Sequence, residues 1–264
     1  MEYKYLVIKK EDGIATLTLN RPNKLNALNS EMLDSELPAA IAKIREDDSV
    51  RVLVVTGAGR AFCSGADISI LEQRSTVREG LTHLERLRPR GAFASLLYNL
   101  EKPTIAAING VTAGGGVSIS CLCDIRIASE QAKFTLAFVR LGLSPDCGTT
   151  FLLPRLVGMG KALELLYTGD AIGAEEAWRI GMVNRVVPHE QLMSVAKQLA
   201  LNLAEGAPIA MSLIKRASHR GIHNTLEEQL FFETYAMNLC FSTEDFKEGI
   251  TSFLEKRASV FKGR

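Results

Sequence analysis

The stretch Ile105-Ala-Ala-Ile-Asn-Gly-Val-Thr-Ala-Gly-Gly-Gly116 contains an apolar run, a Gly-rich turn and then the start of a second apolar segment. The same order occurs upstream, where Val52-Leu-Val-Val-Thr-Gly57 leads to Phe62-Cys-Ser-Gly-Ala-Asp67. Short continuous apolar runs are typical of strands buried on both faces. The sequence therefore predicts two units of strand, glycine turn and helix, which is the pattern of an α/β fold.

The glycines of these turns also predict a binding function. Glycine allows the backbone to approach a ligand closely. The first N–H groups of a helix have no partner within it and lie at the positive end of its dipole. We therefore expect residues 62–67 and 114–116 to present N–H groups jointly to an anionic oxygen that develops on a bound substrate. A single glycine turn of this kind usually has only a structural role. The prediction of a binding site therefore depends on the presence of both turns.

The spacing of apolar residues predicts further elements on both sides of the two units. A hairpin is expected over residues 5–9 and 14–19, followed by a helix from Asn29 or Ser30 to about Glu46. Buried strands are expected at 50–56, 104–109 and 124–128, and a short buried helix at 117–122. From about Phe151 the pattern becomes mostly helical, with segments at 163–168, 174–179, 191–204, 208–219, 226–240 and 243–256.

This organisation predicts an α/β core at residues 1–200 and a C-terminal helical region at 201–264. The helical region has apolar residues on several faces, including Phe231 and Tyr235. Such helices often pack against another subunit, so we expect an oligomer.

Composition excludes several classes of protein. The chain has 264 residues, 47% hydrophobic and 23% charged, with a net charge of +1. A dedicated nucleic-acid binder would be strongly basic, and no apolar run is long enough to span a membrane. The N-terminus does not resemble a signal peptide, so we expect a cytoplasmic protein. The five cysteines are scattered without metal-ligand spacing, and we expect no metal site.

The sequence has no complete motif for phosphate binding or for serine hydrolysis. No phosphate-loop motif G-x-x-x-x-G-K-[ST] is present. The segment Gly116-Val-Ser118-Ile-Ser120 approaches the nucleophile motif G-x-S-x-G but is one residue short. A serine hydrolase would also need an Asp and a His. The candidates that follow in the order of such a triad are Asp124, Asp146 or Asp170 and then His189 or His219.

The order of motifs resembles the crotonase (enoyl-CoA hydratase/isomerase) superfamily. The resemblance rests on the two glycine segments above, on Cys123-Asp-Ile-Arg-Ile-Ala128 and Lys133-Phe134, and on Leu19-Asn-Arg-Pro22 and Phe253-Leu-Glu-Lys256 near the ends. It implies a spiral of ββα turns with C-terminal helices that build trimers and often hexamers. It also implies an acyl-CoA thioester substrate, with no separate cofactor because coenzyme A is part of that substrate.

The resemblance further implies roles for particular residues. The amides of Ala66 and Gly115 would donate to the thioester oxygen. The backbone of residues 66–69, comprising Ala66, Asp67, Ile68 and Ser69, would flank the adenine and pantetheine of coenzyme A. Lys24 would contact a phosphate, and Phe253 and Lys256 would reach coenzyme A from a neighbouring subunit. For the two lysines, a solvated surface position is the alternative.

Hydratases of this family use two glutamates, and both are replaced here. The first position, two residues after the glycine run, is Ser118, and the second is Phe138. Neither side chain can act as a carboxylate base, which disfavours an ordinary hydratase. Both residues are instead expected to shape the acyl pocket, with core packing for Phe138 and a bond to a helix carbonyl for Ser118 as alternatives.

Asp146, in Leu141-Gly-Leu-Ser-Pro-Asp-Cys-Gly148, is the expected replacement base. This segment most resembles the ring 1,2-epoxyphenylacetyl-CoA isomerases, some of which also move Δ3 double bonds to Δ2. Enclosure near Phe138 and Leu143 would make the carboxylate a better base. The alternative for Asp146 is an N-cap of the following helix.

We therefore expect an isomerase in which Asp146 moves a proton on a thioester enolate. Two other functions stay open at this point. One is a hydratase in which Asp146 and a water do the work. The other is an acyl-CoA-binding protein without catalysis. Residues 70–98 are expected to cover the acyl pocket and to decide which acyl group fits.

Overall fold

Two sheets organise the computed structural model, which describes residues 3–76 and 91–264. Within those residues, the larger sheet has the strand order β1-β2-β3-β5-β7-β10, and the smaller has the order β4-β6-β8-β9. The strands are β1 (Leu6–Glu11), β2 (Ile14–Leu19), β3 (Val52–Gly57), β4 (Ala61–Cys63), β5 (Thr104–Ile108), β6 (Val111–Ala113), β7 (Ile125–Ser129), β8 (Lys133–Thr135), β9 (Ala171–Gly173) and β10 (Arg185–Val187).

The predicted N-terminal hairpin is confirmed. β1 and β2 pair antiparallel, with Glu11 opposite Ile14. Asp12 and Gly13 form the turn with φ values of 53° and 74°, in the left-handed region that suits a two-residue hairpin. From β2 onward the strands of the larger sheet pair in parallel.

Strands of the two sheets alternate along the chain. β3 is followed by β4, β5 by β6 and β7 by β8, so each unit adds one strand to each sheet before the next helix. This is the spiral of ββα turns that the resemblance implies. The strands of the smaller sheet have only three residues each. They escaped prediction because so short a run shows no periodicity.

The helices are α1 (Leu37–Glu46), α2 (Ile68–Thr76), α3 (Ala92–Tyr98), α4 (Gly115–Leu122), α5 (Thr149–Val157), α6 (Met159–Thr168), α7 (Ala174–Arg179), α8 (Leu192–Ala204), α9 (Pro208–Gly221), α10 (Leu226–Phe241) and α11 (Glu244–Glu255). The segments predicted as helices are helical, whereas α2 and α3 were not predicted. Before α1 a π-helical turn spans Met32–Glu36, and the Asn29 side chain accepts a hydrogen bond from the Met32 N–H at 2.9 Å.

The central strand β3 is buried on both faces, as its apolar run predicted. Leu53 and Val55 join the core that also contains residues of α1 and α4. Val52 and Val54 join a second core, which α8 covers from the other side of the sheet. Alternate side chains of a strand point to opposite faces, so one short strand supports both cores. Each such side chain contributes about 1.5–3 kcal/mol when fully buried.

The C-terminal region is helical, as predicted. A capping box between Thr225 and Glu228 begins α10. Several large apolar side chains of α10 and α11 are exposed, and Phe231 and Phe253 are 80% and 81% exposed. The role of these exposed side chains in assembly stays a prediction.

Among the described residues, no helix is both long and apolar enough to cross a membrane. Of the segment expected to cover the acyl pocket, residues 77–90 lie outside the described residues.

Candidate active site

The two glycine loops meet at Gly65. A Cβ atom added there would lie 2.9 Å from the Ala113 carbonyl oxygen and 3.6 Å from the Gly115 nitrogen. Gly65 also has a φ of +93°, which side chains rarely adopt. On the other loop, a Cβ on Gly116 would lie 2.2 Å from the Cys63 carbonyl oxygen. The glycines therefore allow the two backbones to touch, as the sequence predicted.

The Ala66 amide points away from the chain that pairs with its loop. Leu28 bridges this segment by donating to the Gly65 carbonyl at 2.7 Å and accepting from Asp67 at 2.9 Å. In a parallel bridge the residue between these two bonds directs its own N–H to the opposite side. The Ala66 N–H accordingly has no acceptor among the described residues, and Ala66 is exposed.

Gly115 supplies the second unpaired amide. It is the first residue of α4, after Gly114 as N-cap, so its N–H has no partner within the helix. No acceptor for it is found elsewhere in the described part of the chain. Two unpaired amides on touching loops, one at the positive end of a helix, can stabilise an oxyanion.

An ion pair holds the first loop in place. Arg21 Nη2 lies 2.8 Å from Asp67 Oδ2, and both side chains are largely buried. The other Asp67 oxygen accepts from the amide and hydroxyl of Ser69 at 3.2 and 2.9 Å. The hydrogen bond from Arg21 is the main reason that the pKa of Asp67 is lowered. The Asp67 carboxylate therefore anchors the loop, while Ile68 and Ser69 are exposed beside it.

Lys24 lies on the segment that packs against the same loop. The amide of Ser64 donates to the Leu25 carbonyl at 3.0 Å, and the Ser64 hydroxyl donates to the Lys24 carbonyl at 3.4 Å. The Lys24 side chain is exposed. The Lys24 backbone is thus tied to the loop that carries Ala66, as a contact with a coenzyme A phosphate would require. The phosphate contact itself stays a prediction.

Asp146 presents an unengaged carboxylate. Its side chain is exposed and makes no hydrogen bond or ion pair with any described residue. The N-cap of α5 is Gly148, without a side-chain cap, so the N-cap interpretation of Asp146 is wrong. The expected enclosure is also absent from the described residues, because Leu143 is itself 43% exposed. The two residues that follow, Cys147 and Gly148, both have positive φ.

The two positions of the missing glutamates have different surroundings. The Phe138 ring lies beside Gly114, where an added Cβ would be 3.7 Å from Phe138 Cζ. Ser118 is fully buried, and its Oγ lies 2.6 Å from Thr149 Oγ1. A weaker bond of 3.4 Å joins Ser118 to the Gly114 carbonyl, the helix carbonyl expected for it. Their roles toward a substrate stay predictions.

The hydrolase alternative finds no support in the described residues. The Ser118 hydroxyl pairs with Thr149 rather than with a histidine. His189 Nδ1 bonds the Ser129 hydroxyl at 3.0 Å, and His219 stacks on Tyr98 with 4.1 Å between ring centres. In the same part of the chain, no group of His, Cys, Asp or Glu could hold a metal ion.

The predicted tail residues lie at the end of α11. Phe253 is 81% exposed, and Lys256, also exposed, ends the helix with a φ of 55°.

Two residues that organise the site, Arg21 and Thr149, were not predicted from the sequence. Arg21 lies within the motif Leu19-Asn-Arg-Pro22, which was an available signal, whereas nothing in the sequence distinguishes Thr149 from its neighbour Thr150.

Comparisons with known proteins agree with this geometry. The family model described as enoyl-CoA hydratase/isomerase matches residues 9–264. A short-chain-enoyl-CoA hydratase of Clostridium acetobutylicum is 44% identical, with both chains covered completely. A 1,2-epoxyphenylacetyl-CoA isomerase of Escherichia coli is 39% identical, with 99% of each chain covered. The crystal structure of an enoyl-CoA hydratase subunit I of Geobacillus kaustophilus superposes over both full chains with a TM-score of 0.91 at 39% identity.

Proposed function

This chain belongs to the enoyl-CoA hydratase/isomerase family of enzymes, and we propose that within it the chain is an acyl-CoA isomerase that moves a proton with Asp146. The observation that carries the proposal is the exposed carboxylate of Asp146, which no described residue engages. Asp67, the carboxylate on the loop that carries Ala66, is tied to Arg21.

The mechanism begins at the two unpaired amides. Ala66 and Gly115 donate to the thioester oxygen and stabilise the negative charge that forms there. Removing one good donor from such a site typically raises the barrier by about 2.7–4 kcal/mol. Because stronger hydrogen bonds form as charge develops, the site lowers the energy of an enolate more than that of the bound thioester.

Asp146 then transfers one proton without any redox change. On a 3-enoyl thioester, its carboxylate removes a proton from the α-carbon, and the electrons of the broken C–H bond form a conjugated dienolate. The protonated Asp146 returns that proton to the γ-carbon. The double bond is thereby moved from Δ3 to Δ2, and the carboxylate is regenerated. One carboxylate is sufficient for this reaction, consistent with Ser118 and Phe138 at the other two positions.

A thioester that carries a ring epoxide is a second proposed substrate. Its support is the 39% identity to the 1,2-epoxyphenylacetyl-CoA isomerase over 99% of both chains. In that reaction the same two amides would stabilise charge on the thioester oxygen during ring rearrangement. The proposal therefore covers linear 3-enoyl and phenylacetyl-derived epoxide thioesters, which belong to fatty-acid and phenylacetate breakdown respectively.

Hydration is the second candidate function, and the 44% identity to a short-chain-enoyl-CoA hydratase favours it. Here Asp146 would activate a water toward the β-carbon. Loss of the enoyl absorbance of crotonyl-CoA measures hydration, whereas appearance of that absorbance from a 3-enoyl-CoA measures isomerisation. Binding of these esters without turnover of any of them would instead support the non-catalytic alternative.

The decisive experiment compares wild type with Asp146→Asn on 3-enoyl-CoA, with acyl-CoA binding measured separately. We expect a loss of about 10²-fold or more in kcat, with binding retained. Asp48→Asn is a matched control, because Asp48 is also an exposed aspartate in a turn but lies outside the site. Nearly full turnover by Asp146→Asn would contradict the proposal.

We also propose a cytoplasmic homotrimer, or a hexamer made of two trimers, that does not bind nucleic acid. Residues 1–200 would form the acyl-CoA-binding core and 201–264 the oligomerisation region. Phe253 and Lys256 would then reach coenzyme A on a neighbouring subunit. The exposed apolar residues of α10 and α11 support an interface. Sedimentation equilibrium of wild type and Phe231→Glu tests it, and a monomeric wild type with full activity would contradict it.

A further inference from the structure

Two buried hydroxyls connect the helix that begins at Gly115 to the turn that contains Asp146. Ser118, in α4, and Thr149, the first residue of α5, are both fully buried. Their Oγ and Oγ1 atoms lie 2.6 Å apart. Thr149 Oγ1 also lies 2.9 Å from the Asp146 carbonyl oxygen, which the Thr149 amide bonds at 3.1 Å.

The distances favour one direction for these bonds. A hydroxyl donates one proton, so Thr149 donates either to Ser118 or to the Asp146 carbonyl. If it donated to Ser118, the Ser118 proton would have only the Gly114 carbonyl at 3.4 Å, which is a poor bond. The better arrangement runs from the Ser118 hydroxyl to the Thr149 hydroxyl and on to the Asp146 carbonyl. Both hydroxyl protons then have an acceptor at 2.9 Å or less.

We infer that Ser118 and Thr149 are positioning residues, which hold Asp146 at a defined place relative to the Gly115 amide. The inference rests on the proposed role of Asp146 as the base. It gives Ser118 a specific task at the position where hydratases have their first glutamate. The base lies on the facing turn instead, and the residue on the helix supports that turn.

The surroundings of Asp146 explain why support is needed. Its carboxylate has no partner among the described residues, and Ser144 is exposed on the same turn. The next two residues, Cys147 and Gly148, have φ values of 51° and 82°. A non-glycine residue keeps that strained conformation only where its surroundings hold it there. The buried hydroxyl chain is one such restraint, and it ends on the backbone of the base itself.

Three single variants and one matched control separate this role from ordinary packing. Ser118→Ala removes the first hydroxyl, and Thr149→Val removes the second while keeping the volume and the amide bond to Asp146. Thr149→Ser retains the hydroxyl and tests rescue. Ser120→Ala is the control, because Ser120 is equally buried in α4 but donates at 2.8 Å to Val117 within its own helix.

We expect Ser118→Ala and Thr149→Val each to lower kcat on 3-enoyl-CoA about tenfold, while KM stays within about twofold. Thr149→Ser and Ser120→Ala should retain kcat within about twofold. The same substitutions are then made in Asp146→Asn and measured by single turnover. If the hydroxyls act through Asp146, Ser118→Ala has no further effect on the residual rate there.

Three results would overturn the inference. Unchanged kcat in both Ser118→Ala and Thr149→Val, with Asp146→Asn impaired, would remove the positioning role and leave the proposed base intact. An equal loss from Ser118→Ala with and without Asp146 would show that the hydroxyl acts elsewhere. Full activity of Asp146→Asn would remove the proposed base and with it the inference. Thermal unfolding of each variant is measured in parallel. A lower melting temperature with unchanged kcat would show that the hydroxyls only stabilise the fold, and it would likewise remove the positioning role.

Discussion

Arg21 Nη2 lies 2.8 Å from Asp67 Oδ2, and this ion pair joins the segment after the N-terminal hairpin to the loop that carries Ala66. The Arg21 guanidinium also donates to the Ala27 carbonyl and lies over the Tyr5 ring, 5.2 Å from its centre. One arginine therefore fixes three parts of the chain. The position of the first oxyanion donor depends on this contact.

We predict that Asp67→Asn lowers kcat/KM about tenfold on any accepted acyl-CoA, because the amide of Ala66 loses its fixed position. It should also lower the melting temperature at pH 7. Arg21 lowers the pKa of Asp67, so the ion pair stabilises the folded state above the ordinary aspartate pKa of about 3.9. The stability gap to wild type should narrow as the pH falls below about 4. A gap that is constant from pH 7 to 3 would contradict this explanation.

The contact between the two loops can be tested through their glycines. Gly116→Ala would place a Cβ 2.2 Å from the backbone oxygen of Cys63, which cannot move without shifting β4. We expect a loss of about 3 kcal/mol in unfolding free energy and no measurable turnover. Gly160→Ala is the control, since nothing lies within 4 Å of the added Cβ and the site is helical. Denaturant unfolding should show that control within about 1 kcal/mol of wild type.

His219 is predicted to make stability depend on pH in the mildly acidic range. Burial, with a further contribution from Lys215, lowers the pKa of His219 in the folded protein. The unfolded chain therefore binds the proton more readily, and stability should fall as the pH drops below about 6.5. His219→Phe keeps the stacking on Tyr98 but cannot titrate. Melting temperatures from pH 7.5 to 5 should decline less in this variant, and parallel curves would exclude His219 as the cause.

Lys24 is predicted to act on the phosphates of coenzyme A alone. We expect Lys24→Ala to raise KM about threefold to tenfold for an acyl-CoA, because one favourable charge interaction is lost. The same variant should have an unchanged KM for an acyl-pantetheine thioester, which lacks the phosphates. Lys43→Ala, a change at another exposed lysine, serves as the control. Equal effects on both substrates would assign Lys24 to the folding of the loop instead.

Much of the fold could be predicted because its signals are local. The β1–β2 hairpin, the buried strand β3 and the amphipathic helices each show their period within a short window of sequence. Once the family resemblance had assigned the two glutamate positions, the residue types alone excluded Ser118 and Phe138 as carboxylate bases. The short strands of the second sheet could not be found in this way. Their residues pair with strands far along the chain, as Ala61 pairs with Val111.

The enclosure expected of Asp146 and the alternative that it caps the following helix were both wrong, for a related reason. Burial depends on what the rest of the chain places around a side chain, and Asp146 is exposed. Capping depends on where the helix begins, and α5 begins after Gly148. Neither property is encoded in the neighbouring residues alone.

By itself the sequence determined the two glycine loops and an α/β fold, because both follow from residue type and local spacing. The spiral and the replacement of the two usual glutamates followed from the resemblance to a known family. Only the tertiary structure showed which side chains hold the site together. Ser118 and Thr149 are 31 residues apart in the chain, and Arg21 and Asp67 are 46 apart. A hydrogen bond needs two atoms within about 3 Å, and for residues so far apart only the folded packing decides that distance.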